Sequence, residues 1–531
     1  KMDGTRLKLA LPKLQIPALP NGTQISKALL NISDELPAGF ARSQAPASGP
    51  VVSISANAGG DSAQNLFSFQ GLSAKSMELA ATYSNQAWAF GLKGTAELND
   101  TELAYKVALA KGADQKGEYA VTLEAAGNDA LTLEAVTGVQ VPGLSNVALS
   151  GIELKKGSAG DSLSAQLKVL DTTGEIDVFH PKGFDTAVFA ITLDDKLDFQ
   201  KLIPGDALAG GSLLTPTMVI VPEGKTLQPN DPSIPAKLKA NIAKVLADML
   251  KSQPGVDSGP IGAGITLLAE LDIQGSSDMA APQFLNALNL PDGTTGLPLK
   301  GTISPAMFKP NASFTDKMDG TRLKLALPKL QIPALPNGTE ISKALLNISD
   351  ELPAGFARSQ APASGPVVSI SASAGGDSAQ KLFSFEGLSV TSVDLAAMYS
   401  NKAWAFGLKG TAQLNATELA YKVAFAKGAD QKGEYAVKLE APGNDGLTVQ
   451  AVTGRPVPGL SDVALSAIEL KKGSAGDSLS AKLMFLDTTG EIDVFHPKGF
   501  DAAVFAVTAD KLDFKKLIPG NALAGGSLLK P

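Results

Sequence analysis

One long internal repeat governs what this chain can fold into. Residues 1–216 return as residues 317–531, Lys1 matching Lys317, with about thirty substitutions between the copies. Whatever forms must suit the same sequence twice, once with residues 217–316 ahead of it and once without them. Near the end the offset drops by one, where Ala190-Ile-Thr-Leu-Asp-Asp-Lys196 is answered by Ala506-Val-Thr-Ala-Asp-Lys511. A residue lost inside a strand would turn every later side chain to the opposite face. A turn closing a hairpin is therefore expected at Asp194 and Asp195. The chain begins and ends at different phases of the repeat, which reads as a window on a longer array whose domains need not coincide with the repeat as numbered.

A length of 531 residues suggests several domains, because one core stops growing at roughly 250–300 residues. With no cysteine, neither a disulfide framework, a thiolate metal site nor a cysteine nucleophile can form. The net charge of -7 is dilute, and only five of the basic residues are arginines (Arg6, Arg42, Arg322, Arg358, Arg455). Arginine dominates bidentate phosphate and base contacts, so a nucleic-acid partner is not expected. No apolar run approaches the roughly 20 residues that span a bilayer, so no transmembrane segment is expected.

Residues 58–216, and again 376–531, alternate apolar and polar residues between regularly spaced turn signals, the pattern of an all-β unit. Leu103, Tyr105, Val107 and Leu109 fall on one face of a strand; Tyr119, Val121 and Leu123 keep the same step after a polar turn, which predicts a hairpin. Further strands are expected at 87–98, 130–137, 147–155, 162–170, 174–179, 185–193 and 196–200, and a sandwich is favoured over a closed barrel.

Residues 217–375 read as an α+β unit. Ile234, Leu238, Ile242, Val245, Leu246, Met249 and Leu250 follow steps of three and four, predicting an amphipathic helix over about 234–252 with Ser233 as N-cap. Strands are expected at 264–273, 297–303, 320–327 and 367–371. Short helices are expected at 283–289 and 340–348. Residues 1–57 then form the C-terminal half of the same kind of unit, and their apolar face needs a cover.

Chemistry is sparse. The two histidines, His180 and His496, are one repeat position seen twice, too few for a histidine metal site or a triad. They read as turn residues before proline. Gly224-Lys-Thr226 and Gly259-Pro-Ile-Gly262-Ala-Gly264 lack the strand-loop-helix context of a phosphate cradle and read as turns or loops. No cofactor, catalytic or metal-ligating residue is assigned, and no enzymatic activity is expected. The N-glycosylation pattern Asn-x-Ser/Thr occurs at Asn21, Asn31, Asn99, Asn311, Asn337, Asn347 and Asn415. Trp88 and Trp404, one per copy, fit a buried strand tryptophan better than a sugar platform.

Long near-identical repeats, absent thiols, few aromatics and Thr/Ser/Gly-rich strands resemble the giant tandem-repeat surface proteins of bacteria, the adhesin stalks and extracellular filaments. The resemblance implies a β-rich tandem-repeat protein in which all-β, sandwich-like domains alternate with α+β domains in an elongated array. It implies a cell-surface or extracellular location. The partners it implies are neighbouring repeats or copies of the same protein, with a cell-surface or glycan target beyond them. The alternative is a repeat module binding a hydrophobic ligand or a glycan.

Overall fold

In the computed structural model, strands pair with one another largely in the order in which the chain makes them. The description excludes residues 1–5, 16–23, 37–50, 60–66, 109–118, 126–130, 180–186, 253–258, 274–281, 332–339, 376–382, 425–434, 441–446, 497–503, 514–526 and 530–531, with scattered residues in other connections. The first strands are β1 (Leu7–Gln15), β2 (Gln24–Ser33), β3 (Val51–Gly59), β4 (Leu72–Ala74), β5 (Ser76–Ser84), β6 (Ala87–Leu98), β7 (Thr101–Ala108) and β8 (Tyr119–Ala125). Next come β9 (Leu131–Thr132), β10 (Ala148–Gly157), β11 (Gly160–Val169), β12 (Thr172–Phe179), β13 (Val188–Leu193), β14 (Leu197–Asp198) and β15 (Ser212–Val221). A long helix, Ala236–Ser252, precedes β16 (Gly264–Asp272) and β17 (Gly296–Ile303).

The second copy opens with β18 (Arg322–Gln331), β19 (Glu340–Ser349), β20 (Val367–Gly375), β21 (Leu388–Ser400), β22 (Ala403–Leu414), β23 (Thr417–Ala424) and β24 (Tyr435–Glu440). It continues with β25 (Leu447–Thr448), β26 (Ala464–Gly473), β27 (Gly476–Phe485), β28 (Thr488–His496), β29 (Val504–Ala509), β30 (Lys511–Asp513) and β31 (Ser527–Leu529). Twenty-nine of these strands join one sheet, and β30 and β31 form a separate pair. Every pairing among the described strands is antiparallel, as short connections between successive strands require. Strand β3 runs through position 57/58 and β15 through 216/217, so hydrogen bonding continues across both positions.

The alternation read from the sequence appears as two faces. Leu103, Tyr105 and Val107 are buried on the inner face together with Val121 and Leu123 of β8, and β7 pairs with β8 as expected. One contiguous apolar cluster follows this inner face from Ala28 to Val494. A second, smaller cluster lies on the opposite face, where Leu238, Ile242 and Leu246 of the long helix cover Phe179, Val188, Ala190, Val219, Val221 and Leu268. The consequence is visible in β13, whose six residues are all buried, because both of its faces are covered. Leu250, at the far end of the helical stripe, remains 38% exposed.

Five local expectations are corrected. Residues 340–348 are not a helix but strand β19, paired with β18 on one side and β20 on the other. Its sequence offers both periods, and flanking strands select the period of two, which buries Ala344, Leu346 and Ile348. The expected strand 130–137 stops after two residues at Thr132, whose hydroxyl accepts the N–H of Ala135 and starts the short helix Leu133–Thr137. Around 283–289, the described residues Phe284 and Leu285 form a turn, not a helix. Ser233 bonds the carboxylate of Asp231 through both its N–H and its hydroxyl instead of capping the long helix.

The fifth correction concerns Asp194 and Asp195, which close no hairpin. They sit in a bend between β13 and β14, and both strands pair with β15, Thr192 opposite Thr217 and Leu197 opposite Leu213. The bend interrupts one strand position in two segments, so a residue can be lost there without turning the rest of the sheet over.

Candidate functional site

The residues with the most suggestive chemistry are scattered. Asn99 and Asn415 occupy the same tight turn, with φ of 48° and 49°, and each donates its side-chain amide at 2.8 Å to the last turn of a short helix, at Val136 and Val452. Asn31 and Asn347 each donate to a neighbouring-strand serine, Ser55 and Ser371, at 3.1 Å. Asn311 is exposed in a turn, two residues before Ser313, which caps a five-residue helix in a reciprocal bond with Asp316. Asn21, Asn337 and His180 lie outside the described residues. His496 ends β28 opposite Asp477, and its side chain is not described. Gly224 sits in a turn closed by the Lys225 N–H on the Pro222 carbonyl, and Ile261 bridges back to Leu227. Among the described residues no three acidic or histidine side chains gather as a metal site.

Trp404 is the aromatic residue whose surroundings are best defined. Its ring lies against Tyr399 and Phe406, with centroids 5.4 and 6.3 Å away, and its indole N–H reaches the Phe284 carbonyl. The Phe284 turn thus docks onto β21 and β22 from a distant part of the chain. The side chain of Trp88 is not described.

Around the long helix, charge follows shape. Lys237 and Lys244 lie off the apolar stripe and reach to Glu175 and Glu270 on the sheet, each at 3.0 Å. Beside Glu175, Asp177 is held against the helix-covered face, where burial pushes its carboxyl up to about 6; Glu175 adds to the shift, and Lys237 and Lys155 oppose it.

The most informative geometry comes from comparing the two copies. Inside the chain, β18 is flanked by β17, with Leu299 opposite Leu325, Lys300 opposite Lys324, Gly301 opposite Leu323 and Thr302 opposite Arg322. Leu323 and Leu325 are fully buried. In the first copy the same hairpin forms in the same register, Leu7 opposite Ile32 matching Leu323 opposite Ile348. The Arg6–Glu35 ion pair recurs as Arg322–Glu351. Yet no described strand lies on the outer side of β1, and Leu7 and Leu9 are 51% and 49% exposed.

The other end of the sheet mirrors this. Val504 on β29 is 60% exposed and Phe495 on β28 is 48% exposed, whereas their counterparts Val188 and Phe179 are buried beneath β15 and the long helix. Residues 212–303 therefore cover one edge of the sheet on each side, and both ends of the described sheet expose what those residues conceal. The apolar face of residues 1–57 was legible as needing a cover; the edge at β29 was missed. The signal was present, since the segment 217–316 occurs once between two copies.

No protein-family model, curated protein or solved structure matches this chain. Among the described residues, no helix is long and apolar enough to cross a membrane.

Proposed function

We propose that this chain is a structural repeat segment of a very large extracellular surface or filament protein, and that its work is to supply length and stiffness. All-β, sandwich-like units alternate with helix-bearing units, and each connecting segment continues the sheet into the next period. Neighbouring repeats, or copies of the same protein, are its partners. The observation that carries the reading is the β17–β18 junction, where one period passes to the next through main-chain hydrogen bonds and a shared apolar face. A sheet continued in this way resists bending at the joint, whereas a flexible linker would leave the units free to reorient.

The test is a series of lengthened chains. Residue 531 stands at the phase of residue 216, so adding residues 217–531 after it extends the pattern without a break in sequence. Small-angle scattering should show the maximum dimension growing by a constant increment with each added period. Growth of the radius of gyration at roughly the 0.38 power of chain length, as in a single compact particle, would sink the proposal.

A further inference from the structure

We infer that the edge of β1 is a docking site for a strand of the sequence Gly296–Ile303, supplied by the connecting segment of another repeat unit. The inference rests on the repeat reading above and names the contact it needs. The chain holds both the lock and its filled counterpart. Residues 7–15 and 323–331 are identical in sequence, both are paired to their next strand in the same register, and they differ in whether a β17-type strand lies alongside. The expected complex therefore places Leu299 opposite Leu9, Lys300 opposite Lys8, Gly301 opposite Leu7 and Thr302 opposite Arg6. Such strand addition satisfies the exposed main-chain groups of an edge while covering its apolar side chains.

Two observations narrow the occupant. The first is strand direction. Between β13 and β18 stand β15, β16 and β17, each antiparallel to the last, so β13 and β18 run the same way. Their counterparts at the open ends, β29 and β1, would therefore meet as a parallel pair if two copies joined directly, and every described pairing is antiparallel. The three intervening strands restore the alternation, which favours a connecting segment over the β29 end of a second copy. The second observation is a close approach. A Cβ placed on Gly301 would lie 2.6 Å from the Cα of Leu323 and closer still to the Arg322 carbonyl oxygen, so this position admits glycine alone. The corresponding atoms on the open edge belong to Leu7 and Arg6, and the same position should select the incoming strand.

The experiment titrates the full chain into a fluorescently labelled synthetic peptide of residues 292–306 and follows anisotropy, with hydrogen exchange locating the contact. Saturable binding is expected, with new amide protection within residues 6–9. Replacing Gly301→Val in the peptide, or Leu7→Lys with Leu9→Lys in the chain, should each weaken binding by about tenfold or more, equivalent to about 1.4 kcal/mol. Both leucines are already exposed, so their replacement leaves the fold of the chain intact. Absence of saturable binding at millimolar peptide, equal binding of the Gly301→Val peptide, or protection at residues 504–509 in place of 6–9 would each overturn the inference. If the peptide fails while lengthened chains still grow by a constant increment, docking of this strand on β1 falls and the repeat reading stands.

Discussion

Trp404 donates its indole N–H at 2.9 Å to the main-chain carbonyl of Phe284, tying β22 to a turn 120 residues earlier in the chain. Phe284 is itself fully buried and meets Tyr399 edge-on, with centroids 6.5 Å apart. The contact joins the connecting segment to the second copy at a point remote in sequence from the β17–β18 junction. Replacing Trp404→Phe keeps an aromatic ring and removes the donor. The unfolding midpoint in urea is expected to fall by the equivalent of about 1–2 kcal/mol, the usual cost of leaving a partly buried carbonyl without its partner. An unchanged midpoint would show that the docked turn contributes nothing to stability.

Asp177 makes stability depend on pH. Its carboxyl titrates at about 6 in the folded chain, above the ordinary value of 3.8, because burial disfavours the charged form. A raised folded-state value means that the protonated form is the one the fold prefers. The stabilisation is fully present below pH 3.8 and is lost as pH rises through about 6. Asp177→Asn should therefore raise stability near pH 7 by about 1–3 kcal/mol and flatten the profile between pH 4 and 6. Denaturation at several pH values checks this, and a profile unchanged by the substitution would refute it.

Thr82 is fully buried, and its hydroxyl has no hydrogen-bond partner among the described residues. At the matching position the second copy carries Met398, also fully buried. Thr82→Val conserves shape and removes the unsatisfied oxygen, so a gain of about 1 kcal/mol is expected in chemical denaturation. A loss of stability would mean that the hydroxyl is satisfied in solution.

Gly151 and Ala467 occupy the same strand irregularity, in β10 and β26, with φ of 58° and 51°. A Cβ at Gly151 would meet nothing within 4 Å, so the difference between the copies is one of backbone conformation, with no steric clash. Ala467→Gly should stabilise the second copy by about 1 kcal/mol, and Gly151→Ala should destabilise the first by a similar amount. Thermal unfolding of the two variants gives opposite signs if this is right.

Elements with a clear local period were readable in advance. The strand at 87–98 has the bounds expected, and the helix begins within two residues of its expected start, because alternation and the three-four step are set by each side chain's need for an apolar face. Reading failed where one segment satisfied two periods, as in Glu340–Ser349, where only the strands on either side decide. It failed also at Asp194 and Asp195, where a missing residue signalled an interruption and the partner strand β15 shows that the chain does not turn back.

The amino-acid sequence alone determined that two nearly identical copies must fold alike, that strands dominate, and that thiol chemistry plays no part. These properties are local or compositional, so they survive in any arrangement. Which edges stay open, which acid is raised by burial, and which glycine admits a neighbouring strand were decided only by the assembled sheet. Leu7 and Leu323 show why: the residue and its neighbours in sequence are the same, and burial is set by a strand that lies beside one and not the other.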